Sequence, residues 1–313
     1  MAHVWITGAH GFIGRYLARW LADQNHTVAG IGHGAWPQAE AGRWGVSTWM
    51  NGEISASNLG QIRQGAGTPD LVFHLAGGSS VGAAFAGPQE DFTRTVVSTA
   101  ELLEWLRQQA PVARVVAVSS AAVYGAGHEG PIPEDARLNP YSPYGTHKLM
   151  MEVLCRSYAA NFGTQVVLPR LFSVYGPELK KQLLWDLCSK FTTGGEVELG
   201  GTGNELRDWT DVQDVVRALD QASMLANEQA PVLNLATGVA TPVSEIVFTA
   251  ALHWGEDAVT RLCFTGRSRP GDPFSLVANI DRMNAHGIKC PTSVTHGVAE
   301  YVNWFRNKVK DQD

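Results

Sequence analysis

Tyr144 and Lys148, in the segment SPYGTHK, stand at positions i and i+4, a spacing that puts two side chains on one face of a helix. There the lysine ammonium would sit beside the phenol. A free tyrosine has a pKa of about 10 and is a poor base at neutral pH, so a neighbouring cation that favours phenolate makes proton transfer workable. The pair alone is weak, because tyrosines pack and lysines snorkel on many amphipathic helices. Context strengthens it. Near the N-terminus, TGAHGFIG places Gly8, Gly11 and Gly14 after an apolar run from Val4 to Thr7 and before a helical pattern of Leu17, Trp20 and Leu21. That order reads as strand, glycine turn, helix, in which the backbone can approach a pyrophosphate and the helix N-terminus offers free amides to it. A dinucleotide turn followed by a tyrosine–lysine pair predicts redox chemistry.

These groups need a scaffold. Strand-like runs (HTVAGIG, PDLVFHLAG, ARVVAVSS, QVVLPRLF) alternate with helical patterns over about 91–109 and 143–161, which predicts an α/β fold with a Rossmann-type doubly wound parallel sheet. VVAVSS lacks period-two alternation, as expected of a strand buried on both faces. From about Ser173 the pattern loosens around GGEVELGGTGN, so residues 1–172 read as the dinucleotide-binding unit and 173–313 as mainly the substrate unit.

The 313 residues carry 24 Lys+Arg against 30 Asp+Glu, a net charge of −6, and no basic run that would follow a nucleic-acid backbone. No apolar segment predicts a membrane span and no secretory signal precedes the first strand, so a cytoplasmic location is expected. The four cysteines lack C-x-x-C spacing and the ten histidines lack H-x-x-x-H or H-E-x-x-H spacing; a metal site is not expected.

TGAHGFIG, HLAGGSS, VSSAAVYG, PYGTHK, PRLFSVYGP, ELRDWTDVQDVVRAL and RPGDPFSLVANIDRM occur in an order and spacing that resembles the extended short-chain dehydrogenase/reductases of the NAD-dependent epimerase/dehydratase group, which act on nucleotide sugars. The resemblance covers almost the whole chain. It implies a smaller C-terminal substrate domain closing a cleft over the sheet, with segments about 210–245 returning to the first domain. It assigns the catalytic set to Ser120, Tyr144 and Lys148, with Ser120 holding the substrate oxygen, Tyr144 moving its proton and Lys148 lowering the tyrosine pKa and holding the ribose. Ser119 is then a structural hydroxyl, Tyr124 a packing or substrate-contact residue, and His147 a helix-surface residue. The cofactor would lie along Gly8, Gly11, Phe12, Ile13 and Gly14, along Leu75, Ala76 and Gly77 of HLAGG, and along Leu171, with Glu53 and Ile54 beside the adenine. The sugar nucleotide would meet Ser79, Ser80, Phe172 and Ser173, and Arg207 and Arg269 would grip its diphosphate.

Two departures from the family pattern direct the functional reading. Related 4,6-dehydratases place an acid after the catalytic serine, but here Ala121 and Ala122 follow Ser120, which disfavours elimination of water. At the end of the second strand, where an acid would hydrogen-bond the adenosine ribose, stands Gly32 followed by His33. Loss of that acid removes repulsion of a 2′-phosphate, and His33 or Arg15 would attract one, so NADP(H) is favoured over NAD(H). The expected function is NADPH-dependent reduction of a 4-keto nucleotide sugar. The alternative is a 4-epimerase with tightly held NAD, and a third reading is a dinucleotide-sensing protein without catalysis. A homodimer is expected from the apolar residues Val96, Val97, Leu102, Leu103 and Leu106 of the 91–109 helix.

Overall fold

A computed structural model describes residues 1–267 and 273–310. The first half alternates strand and helix: β1 (His3–Thr7), α1 (Phe12–Asp23), β2 (Thr27–Gly32), α2 (Gln38–Arg43), β3 (Val46–Asn51), α3 (Ala56–Ala66) and β4 (Leu71–His74). Two short helices, α4 (Val81–Ala86) and α5 (Pro88–Phe92), lead through a π-helical turn (Thr93–Val97) into α6 (Ser98–Gln109). Then come β5 (Arg114–Ala117), β6 (Ser119–Ser120), α7 (Pro143–Phe162) and β7 (Gln165–Leu171). The helix expected over 91–109 is continuous, with one π turn inserted at Thr93–Val97. The wider turn directs Thr95 inward, where its hydroxyl accepts a hydrogen bond from the Gly78 amide at 2.8 Å.

The second half contains β8 (Ser173–Tyr175), α8 (Gln182–Thr193), β9 (Val197–Leu199), β10 (Leu206–Arg207), β11 (Trp209–Asp211) and α9 (Val212–Ala222). It continues with β12 (Val232–Leu235), β13 (Thr241–Pro242), α10 (Val243–Trp254), α11 (Glu256–Val259), β14 (Leu262–Phe264), β15 (Ser275–Leu276), α12 (Asp281–Ala285) and α13 (Val294–Lys310). The last helix carries the chain beyond Arg306.

The main sheet runs β12-β7-β5-β4-β1-β2-β3, with β6 also paired to β7, and its pairings are parallel. This is a Rossmann-type doubly wound sheet. Its winding reverses between β1 and β4, so the carboxyl ends of those strands open a crevice for a ligand. Val115, Val116 and Ala117 on β5 are buried, as a strand covered on both faces requires. β12 joins the sheet from the second half, and α9 packs on α1. A separate apolar core forms among α8, α10 and α13, with Leu187, Phe191, Ile246, Val298 and Phe305 at its centre. Trp185 and Trp254 pack against this core.

α7 carries the reactive pair. Ser142 caps its N-terminus by accepting from the Gly145 amide at 3.1 Å, Pro143 stands in its first turn, and Gly163 ends it in the left-handed region at φ 71°. Gly145, Lys148, Met151, Glu152, Cys155 and Ala159 face inward, the repeat of a helix laid on a sheet. A Cβ at Gly145 would stand 2.5 Å from the Ala122 carbonyl oxygen, so only glycine lets the helix approach the turn after Ser120 this closely.

Candidate active site

The carboxyl ends of the sheet strands and the second half enclose a cleft of about 1380 Å³. Ser120 reaches it from β6, which pairs with β7 so that Ser120 lies opposite Leu171. Tyr144 and Lys148 enter from the first turns of α7. The Ser120 hydroxyl is hydrogen-bonded to the Tyr144 phenol, and Lys148 donates to the Val118 carbonyl oxygen at 2.9 Å.

The electrostatics differ from the expectation that Lys148 lowers the tyrosine pKa. Burial raises the Tyr144 pKa, the Ser120 hydrogen bond opposes that rise, and Asp91 adds to it. The lysine ammonium donates to Val118, and Ser120 is the group that works against the rise of the phenol pKa. Burial also pulls Lys148 down to about 8, against the opposing charge of Asp91.

The glycine turn has the shape a pyrophosphate requires. Gly8 adopts φ 75°, and a Cβ at Gly14 would overlap the Gly8 carbonyl oxygen. α1 starts at Phe12 with no side chain capping its amides, leaving them available to an anion. Phe12, Ile13 and Gly11 line the cleft beside the turn, and Leu75, Ala76, Gly77 and Leu171 line its floor. At the far end stand Gly32, His33, Glu53 and Ile54. These residues fit a dinucleotide.

Arg15 does not join them. Its guanidinium donates to the His10 carbonyl oxygen at 2.9 Å, pairs with Glu178 at 3.6 Å and lies over the Trp44 ring at 5.5 Å. Of the two residues expected to attract a 2′-phosphate, only His33 lines the cleft.

At the other end lie Ser79, Ser80, Phe172, Ser173 and Arg207. Arg207 donates to the carbonyl oxygens of Leu206 and Phe274. The neighbouring Asp208 is fully buried and accepts from Thr237, Gly238 and Ala278. Arg269 and Asp272 lie outside the described residues. Sequence reasoning missed Tyr141, Lys181 and Arg267, which also line this end; Lys181 donates to the Ser79 carbonyl oxygen at 3.2 Å.

Three neighbouring residues resolve plainly. Ser119 donates to Glu152 at 2.6 Å, and Tyr124 is buried with its hydroxyl on Asn234 at 2.6 Å; both are structural. His147 departs from the expectation of a helix-surface residue. Its Nδ1 lies 2.6 Å from the buried Asp91 carboxylate, and its ring meets Phe92 edge-on. No local pattern announces that pair, because its members are 56 residues apart.

Comparison with known proteins fits this geometry. Residues 4–236 match the NAD dependent epimerase/dehydratase family. A UDP-glucose 4-epimerase of Mycolicibacterium smegmatis is 30% identical over 97% of this chain and 98% of its own. The structure of MoeE5 in complex with UDP-glucuronic acid and NAD is 31% identical, superimposes with a TM-score of 0.84, and is covered over 97% of this chain and 99% of that one. A Bacillus cereus UDP-glucuronic acid 4-epimerase in complex with UDP-glucuronic acid and NAD is 25% identical, with a TM-score of 0.87 and the same coverage.

Proposed function

Given that this chain belongs to the NAD-dependent epimerase/dehydratase family of extended short-chain dehydrogenase/reductases, enzymes of nucleotide sugars, we propose that it is a nucleotide-sugar 4-epimerase with resident NAD. The observation that carries this reading is the set Ser120, Tyr144 and Lys148 at the cleft, with Ala121 and Ala122 where an eliminating acid would stand. Among the described residues lining the cleft, the carboxylates are Glu53, Glu90 and Glu205. Glu90 pairs with Arg94, and Glu205 is tied to the Thr202 and Gly203 amides. None accompanies Ser120.

NAD, when bound, supplies a reversible hydride acceptor. Ser120 holds the sugar oxygen, Tyr144 takes its proton and returns it, and Lys148 holds the ribose. The diphosphate meets Arg207 and Arg269, and the sugar lies against Ser79, Ser80, Phe172 and Ser173. Residues 173–313 mainly serve this substrate, inside the cytoplasm.

NADP(H) and the ketoreductase are less favoured than Gly32 alone suggests. Arg15 is committed to Glu178 and Trp44, and both solved relatives described above contain NAD. The test is direct. Denaturing the purified protein should release NAD, and UDP-glucose or UDP-glucuronic acid should convert to its 4-epimer without net change in nicotinamide absorbance. Protein free of dinucleotide that consumes NADPH with a 4-keto sugar would instead be the reductase; one that binds dinucleotide and turns over no sugar would be a sensor.

A homodimer is proposed on a surface that keeps Val97 from the residues the sequence suggests and leaves out the leucines. Leu102, Leu103 and Leu106 are buried against the sheet. The exposed apolar surface comes from Phe85 and Phe92 on α4 and α5, Val97 on the π turn, and Met150 and Val153 on α7. A second copy would cover it. Sedimentation at micromolar concentration should give the dimer mass, with Val153→Glu shifting it to the monomer. A wild-type monomer refutes the interface.

A further inference from the structure

Lys148 is almost wholly buried, and an ammonium that deep needs a compensating carboxylate to stay charged. Two carboxylates act on it, Asp91 and Glu152. Glu152 is already neutralised, by Arg170 at 2.8 Å and Arg156 at 3.0 Å. Asp91 is buried too, but its partner is a histidine, with His147 Nδ1 at 2.6 Å.

Asp91 and the lysine both pack against the glycine loop after β4. A Cβ at Gly78 would overlap Asp91 Oδ1, and a Cβ at Gly77 would stand 3.2 Å from Lys148 Nζ. The other ionisable groups facing this cluster are Tyr144 and Cys155 from α7 and His74 from β4, whose burial drives its pKa to about 3 and keeps it neutral. Glu90 and Arg94, on α5 and the π turn, are exposed and pair with each other.

We propose that Asp91 is a positioning residue that acts through Lys148, holding it as the ammonium. Burial draws the Lys148 pKa down and Asp91 is the largest force opposing that fall. Removing the carboxylate therefore costs the ammonium at a lower pH. Removing the histidine costs it nothing.

This inference rests on the role assigned to Lys148, not on the identity of the sugar, so its test needs no substrate. The nitrogen-15 resonance of Lys148 Nζ, assigned by its loss in Lys148→Arg, is titrated in the full-length protein, in Asp91→Asn and in His147→Gln. The midpoint should fall by about one pH unit or more in Asp91→Asn, the usual effect of losing a close opposite charge. In His147→Gln it should stay or rise. Retention of NAD should fail first on the alkaline side in Asp91→Asn alone. An unchanged midpoint in Asp91→Asn overturns the proposal. So does a fall in both variants, which would mark the pair as a structural tether; if Asp91→Asn does not fold, a fall in His147→Gln is sufficient to overturn it.

Discussion

Tyr144→Phe is expected to lower turnover by about 10²–10⁴-fold, the usual contribution of a positioned proton-transfer group, with little change in KM or in NAD retention. The ring fills the same space on α7, Ser120 still faces the substrate oxygen and Lys148 keeps its bond to Val118. What disappears is the one hydroxyl that can both take and return the sugar proton. Ser120→Ala should cost less, because it removes a hydrogen bond and leaves the acid–base group, but it should also shift the pH optimum upward. Ser120 is the group that opposes the burial-driven rise of the Tyr144 pKa, so without it the phenolate forms only at higher pH. Full pH–rate profiles of both variants, with thermal melts to show that folding is retained, test the assignment. A Tyr144→Phe variant that keeps wild-type turnover, or loses its bound dinucleotide, would make Tyr144 a packing residue.

How much of this site can be read from the chain depends on the distance over which each interaction acts. The glycine turn and the tyrosine–lysine pair are local: three glycines within eight residues and two side chains one helical turn apart declare their geometry without the rest of the fold. The parallel sheet follows from the alternation of apolar runs and amphipathic helices. Contacts made in three dimensions are silent. Arg15 stands in the right turn to meet a phosphate, yet Glu178 and Trp44 draw it away from the cleft. His147 occupies a position that periodicity alone gives to the helix surface, but Asp91 lies across from it. Leu102, Leu103 and Leu106 looked like surplus apolar surface because the sequence does not show how much of α6 the sheet and α7 cover. The inward turn of Thr95 depends on a π turn that no residue pattern signals.

The same distinction governs stability, where the largest expected effect is at Arg170. This side chain is 1% exposed. Its guanidinium donates to Glu152 through Nε and Nη2 at 2.9 and 2.8 Å and to the Glu134 carbonyl oxygen at 2.9 Å, while lying 4.8 Å over the Tyr124 ring. Arg170→Met keeps the aliphatic bulk and removes the charge, leaving Glu152 buried with only Ser119 and the half-exposed Arg156. Breaking a buried pair from one side costs about 3–5 kcal/mol, which for a protein of this size lowers the melting temperature by about 5–8 °C. Replacing both partners, Arg170→Met with Glu152→Leu, should recover part of that loss, because no charge is then stranded. Turnover should fall as well. Glu152 lies one helical turn beyond Lys148 on α7, and through Ser119 it ties that helix to the strand that ends in Ser120. Arg170→Met should thus lose stability and activity together, whereas Tyr144→Phe loses activity alone. An Arg170→Met variant that melts like the wild type would show that Arg156 and Ser119 suffice to hold Glu152, and that the spacing of the catalytic hydroxyl and lysine is set by packing instead.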